Sequence, residues 1–125
     1  MKILLTTSAL ILTSLAASVA YAAPVTEMDS SIGPVLTGEN GMTLYTFKKD
    51  KANMSNCNGG CAQKWPPLMA AGDATASGDY TIIKRQDGTH QWAKDSMPLY
   101  FWVKDTKAGD VTGDGVKGVW DAARP

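Results

Sequence analysis

The chain has 125 residues, with twelve basic side chains against twelve acidic ones and 44% hydrophobic residues. That length fits a single domain with a usable core. A balanced charge with no Lys/Arg run argues against nucleic acid or an anionic membrane surface as the partner.

In chain order, the first feature is an export signal. Lys2 gives a positive start, an uncharged and mostly apolar stretch runs from Ile3 to Val19, and Ala20-Tyr21-Ala22 supplies the small-x-small pattern of a signal-peptidase site. The apolar stretch is shorter than the roughly 20 residues a membrane span needs. We therefore read residues 1–22 as a signal peptide and 23–125 as one β-rich domain with no transmembrane segment after cleavage. No Cys follows the cleavage site to carry a lipid, so the expected location is the periplasm or the medium.

The domain then alternates short β signals with turns. Pro34 to Thr37 and Met42 to Phe47 flank Glu39-Asn40-Gly41, a hairpin signal. Alternation places Leu44, Thr46 and Lys48 on one face and Tyr45 and Phe47 on the other. Next comes a loop holding the only cysteines, Cys57 and Cys61, which in an oxidising compartment read as a disulfide. At most one helical turn covers Cys61 to Trp65 before Pro66-Pro67 stops it. Ala70 to Gly78 is a small-residue linker. Tyr80 to Ile83 reads as a strand reaching the Asp87-Gly88 turn, and Thr89 to Ala93 and Met97 to Val103 flank Asp95-Ser96. In that last strand Leu99, Phe101 and Val103 oppose Tyr100 and Trp102, so it is apolar on both faces and central.

The two halves repeat each other. Shifted by 55 residues without a gap, Met42, Leu44, Tyr45, Lys49, Asp50, Gly60 and Trp65 fall on Met97, Leu99, Tyr100, Lys104, Asp105, Gly115 and Trp120, and Phe47 falls on Trp102. One register held across so long a loop indicates duplication. The expected fold is mainly β: one small domain of two tandem, pseudo-equivalent hairpin-plus-loop units, about 34–70 and 80–125, with little helix.

The paired motifs Tyr45-x-Phe47-x-x-Asp50 and Tyr100-x-Trp102-x-x-Asp105 resemble the bacterial secreted-repeat family, predicted lipoproteins with a Tyr-x-aromatic-x-x-Asp motif. The loop from Ser55 to Ala62 with Trp65-Pro66-Pro67 is similar to that family's first loop, and Gly109 to Gly115 with Trp120 to its second. The resemblance covers essentially the whole domain but lacks the acylated Cys. It implies no activity, because the family's function is unassigned.

Few residues offer chemistry. Asp50 and Asp105 have a structural role available, accepting from a buried Tyr hydroxyl or capping the following loop. The four tryptophans, Trp65, Trp92, Trp102 and Trp120, are expected in the core, with an aromatic ligand groove as the sharper alternative. Trp92, without a counterpart in the first unit, is that groove's first candidate. His90 is the only histidine, which leaves no His pair for zinc. Asp110, Thr112, Asp114 and Asp121 have the oxygen spacing of a twelve-residue calcium loop, with Gly115 at the tight turn. Met54, Met69 and His90 could complete a soft copper(I) site if Cys57 and Cys61 were reduced. No nucleophile context is present, so no enzyme activity and no cofactor are expected. The sequence reads as an exported, non-enzymatic binding or structural module, with a small-ligand or metal-binding periplasmic accessory protein (calcium before copper) as the alternative; the partner expected is an envelope component or a small ligand.

Overall fold

The computed structural model describes residues 23–125, so the signal peptide expected over 1–22 lies outside the described residues. The fold is mainly β, as expected: strands β1 (Val25–Ser30), β2 (Gly33–Gly38), β3 (Tyr45–Phe47), β4 (Tyr80–Lys84), β5 (His90–Lys94), β6 (Met97–Pro98) and β7 (Trp120–Ala122), with a short α-helix, α1 (Gly60–Lys64), and a 3-10 turn at Val116–Gly118. Helix α1 ends where Pro66 and Pro67 forbid another helical hydrogen bond.

Each unit opens with an antiparallel pair, β1 with β2 and β4 with β5. β1 was not among the expected strands, so unit one starts upstream of Pro34. The Asn-Gly hairpin forms as expected, closed by a Thr37–Thr43 bridge with Gly38 N–H donating to Met42 C=O and Leu44 N–H to Leu36 C=O, while β2 makes its full ladder with β1. Asp95 and Ser96 turn the second hairpin with φ of 48° and 69°, the two-residue geometry that suits the twist of the flanking strands.

The units then exchange segments. β7, which closes unit two, pairs with β3 of unit one, Phe47 opposite Trp120 and Tyr45 opposite Ala122. Reciprocally, the stretch after Trp65 pairs with the motif strand of unit two. Leu68 N–H donates to Leu99 C=O, Phe101 N–H to Pro66 C=O and Val103 N–H to Lys64 C=O. Tyr45 and Tyr100 exchange N–H···O bonds of 2.8 and 3.0 Å at the centre. A pseudo-two-fold axis passes between them. The strand around Tyr100 is central, as expected, with Tyr45 on one side and Pro67 on the other.

Alternation along these strands separates two cores. Tyr45, Phe47, Tyr100 and Trp102 enter one with Trp65 and Trp120. Leu44 and Leu99 enter the other with Leu36, Leu68, Trp92 and Ala123. Trp92 does have a structural counterpart, contrary to the sequence reading. Its N–H donates to Leu68 C=O as Leu36 N–H donates to Ala123 C=O, so Trp92 fills in unit two the place Leu36 fills in unit one. The one-residue difference between the two hairpin loops hides this from a gapless alignment.

Candidate functional site

The motif residues form two buried, crossed hydrogen bonds. Tyr45 donates to Asp105 Oδ2 at 2.5 Å, and Tyr100 donates to Asp50 Oδ2 at 2.6 Å. Each carboxylate also caps its own following loop: Asp50 Oδ1 accepts from Asn56 N–H, and Asp105 Oδ1 accepts from the Thr112 N–H and hydroxyl. The expected roles of partner and cap are thus filled together, but the tyrosine each aspartate serves belongs to the other unit. Burial pushes both phenols up, reinforced by the neighbouring carboxylates, so both stay protonated and donate throughout the physiological range.

Unit two adds a polar cluster without counterpart in unit one. Arg85, buried beneath the disulfide loop, donates to Ser55 Oγ, Gln91 Oε1, Cys57 C=O and Asn58 Oδ1. Gln91, fully buried, donates in turn to Leu99 C=O, and Ser55 Oγ lies 2.6 Å from the Tyr100 hydroxyl. The sequence reading missed Arg85, Gln91 and Ser55. The available signal was slight: Arg85 directly follows β4 and sits two residues after the buried Ile83. Cys57 and Cys61 are disulfide-bonded, with Cα atoms 5.2 Å apart, and hold this loop over Arg85.

The first core carries a ladder of four rings in the order Phe47, Trp120, Trp65, Trp102. Successive centroids lie 4.2, 3.8 and 3.9 Å apart, with interplanar angles of 12°, 4° and 23°. The two-fold maps this ladder onto itself. Tyr45 meets Trp65 and Tyr100 meets Trp120 in equivalent near-perpendicular contacts, centroids 5.4 and 5.2 Å apart. Gly113 must be small here. A Cβ at that position would sit 2.7 Å from the Tyr45 ring and 2.9 Å from Trp65. Gly113→Ala should therefore cost about 2 kcal/mol of unfolding free energy through overpacking. Gly72→Ala, which meets nothing, should leave the urea midpoint in place; equal midpoints for the two variants would contradict the packing argument.

Above the ladder lies an open cleft of about 850 Å³. Phe47, Trp65, Trp102 and Trp120 form its floor, and Gly60 and Cys61 line it on the disulfide side. Val103, Thr112, Val116 and Val119 line it as well, together with Lys49, Lys64, Lys104 and Lys117, all four lysines exposed, and no Asp or Glu is among the lining residues. Lys104 Nζ sits 5.7 Å from the centroid of Trp102, covering the free face of that end ring.

The remaining sequence candidates lie elsewhere. Trp92 is 2% exposed and belongs to the second core; it borders only a smaller hollow of about 410 Å³ near Met69 and Asp73. The four oxygen ligands proposed for calcium are not brought together. Asp110 Oδ2 accepts from the Thr106 N–H and hydroxyl and from Lys107 N–H, bonds that hold its carboxyl below the usual range. Thr112 donates to Asp105, Asp114 Oδ1 accepts from Ala122 N–H, and Asp121 lies 3.7 Å from Lys48. Among the described residues no three His, Cys, Asp or Glu side chains converge as metal ligands would. Met54 and Met69 are about half exposed, His90 is exposed at the start of β5, and both sulfurs of the copper reading are held in the disulfide.

Fold and site together define a duplicated β module whose halves share one aromatic centre. The chain belongs to the family described as a secreted repeat of unknown function, whose profile matches twice, over residues 26–69 and 81–124. The two matches start 55 residues apart, the shift at which the units align. No curated protein and no solved structure matches the chain significantly. Among the described residues no helix is long and apolar enough to cross a membrane.

Proposed function

We propose that the protein is a non-enzymatic binding module of the cell envelope or the surrounding medium, and that the cleft over the ring ladder seats its ligand. The observation that carries this reading is the cleft itself. It is concave, of small-molecule size, floored by residues from both units, and rimmed by exposed lysines. The buried titratable groups support a role in holding this floor rather than in proton transfer. Asp50, Asp105, Tyr45, Tyr100 and Arg85 are engaged in the hydrogen bonds described above, and none of them lines the cleft. The hydroxyl of Thr112, which does line it, donates to Asp105.

A plug tests the seat. Gly60 lines the cleft, and a Cβ there would meet nothing within 4 Å, so Gly60→Trp should fill the space without disturbing the fold. Glycans, peptides and charged small molecules can be titrated against the protein by tryptophan fluorescence. Any ligand found should bind the plugged variant at least about tenfold more weakly, with the melting temperature unchanged. A ligand that binds both forms equally would place the seat elsewhere.

A further inference from the structure

We propose that the cleft is selective for anions, and that its ligand is a small molecule carrying two or more carboxylate or phosphate groups on an apolar frame. This rests on the reading of the cleft as the ligand seat. Three observations point the same way.

The first is charge. The sequence is balanced overall, so the positive potential at the cleft comes from placement rather than from net charge. Among the described residues none of its four lysines has an ion-pair partner; the ion pair found there is Lys48 with Asp121, outside the lining. Lys49 and Lys104 are repeat partners, each two residues beyond an end ring of the ladder, Phe47 and Trp102. Two cations at opposite ends of one floor match a ligand with charge at both ends.

The second is the orientation of the rings. Trp65 and Trp120 each have both faces covered by neighbours in the ladder, so they present only their edges to the cleft. An aromatic edge carries the positive side of the ring quadrupole and favours negative charge. Lys104 occupies the outer face of Trp102. Stacking a sugar face on these tryptophans, the usual aromatic mode of glycan binding, is therefore unavailable.

The third is the supply of donors. The indole N–H groups of Trp65, Trp102 and Trp120 have no protein acceptor among the described residues. They are not sealed from solvent either; the one sealed polar side-chain atom left unpartnered is Thr81 Oγ1. The ammonium groups of Lys49, Lys64, Lys104 and Lys117 only donate, so the rim of the seat offers hydrogen bonds to acceptors. The volume of about 850 Å³ falls within the range of small-molecule sites.

The test titrates three probes at low salt: biphenyl dicarboxylate, its neutral dimethyl ester, and polygalacturonate as a polymeric anion. The dicarboxylate should bind, the ester should bind about tenfold more weakly or less, and added salt should weaken only the former. Reversing the paired charges in a Lys49→Glu/Lys104→Glu double variant should cost the dicarboxylate about tenfold in affinity, while Lys49→Arg/Lys104→Arg and the remote Lys84→Glu retain it. Equal binding of acid and ester, or indifference to the charge reversal, overturns anion selectivity while the cleft stands as the seat if Gly60→Trp still abolishes binding. Dicarboxylate binding that survives Gly60→Trp overturns the seat itself. Binding of polygalacturonate alone, or of no probe, overturns the small-molecule assignment.

Discussion

Truncating Trp65 to alanine should lower the melting temperature by roughly 20 °C, from a loss of about 3–5 kcal/mol. Trp65 is 4% exposed and clamped between Trp120 and Trp102, with Tyr45 against it and the Gly113 backbone packed close. Its neighbours come from both units and are themselves locked in the ladder, so the space it leaves cannot collapse. A domain of this size has about 5–15 kcal/mol in total. The loss is therefore a large share of the whole. Trp120→Ala should cost a similar amount, because the two-fold gives it the same surroundings. Circular dichroism separates this from ordinary core loss. The exciton couplet of stacked indoles should vanish in the Trp65 variant and persist in Trp92→Ala, which empties the other core. A Trp65→Ala protein that melts within about 5 °C of the parent would show that the ladder does not organise the fold.

Replacing Arg85 with methionine should cost about 3 kcal/mol at neutral pH, and less in acid. Methionine keeps the length and apolar packing but removes the donors that satisfy Ser55, Gln91, Cys57 and Asn58. It also removes a charge that acts on Asp50. Burial raises the Asp50 pKa, opposed by the Asn56 N–H, the Tyr100 hydroxyl and the Arg85 cation. A carboxyl raised in the folded state stabilises the fold in its protonated form; that contribution is present below the unfolded value and is lost as pH rises through the folded one. Without Arg85 the Asp50 pKa rises further, so the extra penalty exists only where Asp50 is ionised. Urea unfolding from neutral to mildly acidic pH should show the deficit of the variant narrowing as pH falls. A deficit independent of pH would mean that Arg85 acts through its hydrogen bonds alone.

The sequence made the repetition legible because the conserved spacing is carried by large residues. Tyr45, Asp50 and Trp65 recur as Tyr100, Asp105 and Trp120, and the alternation of Leu44 with Tyr45 and Phe47 assigns side chains to the two cores correctly. The exchange of segments was not legible. Two equivalent strands offer the same edge and the same hydroxyl, and nothing local distinguishes an aspartate's own tyrosine from the other unit's. β1 is not evident in the sequence because Thr26, Glu27 and Asp29 are exposed and none of its six residues is fully buried. The Asp110 to Asp121 pattern misled for a related reason: Asp and Gly serve turns and calcium loops with the same spacing, and here each carboxylate closes a turn or meets a strand end. The lysine rim drew no attention because Lys49, Lys64, Lys104 and Lys117 never form a run and converge only in three dimensions.

The crossed pairing has a consequence for the stretch from Ala70 to Gly78. Neither unit contains the acceptor for its own tyrosine, and β3 of unit one finds its ladder partner, β7, in unit two, so each half is a fragment that needs a complement. Two separate halves would have to find each other as a dimer does, and dilution would pull them apart. Joined by a short tether, they meet at an effective concentration in the millimolar range, whatever the concentration of the protein outside. For a chain of a secreted-repeat family, the tether makes folding a unimolecular event at any dilution.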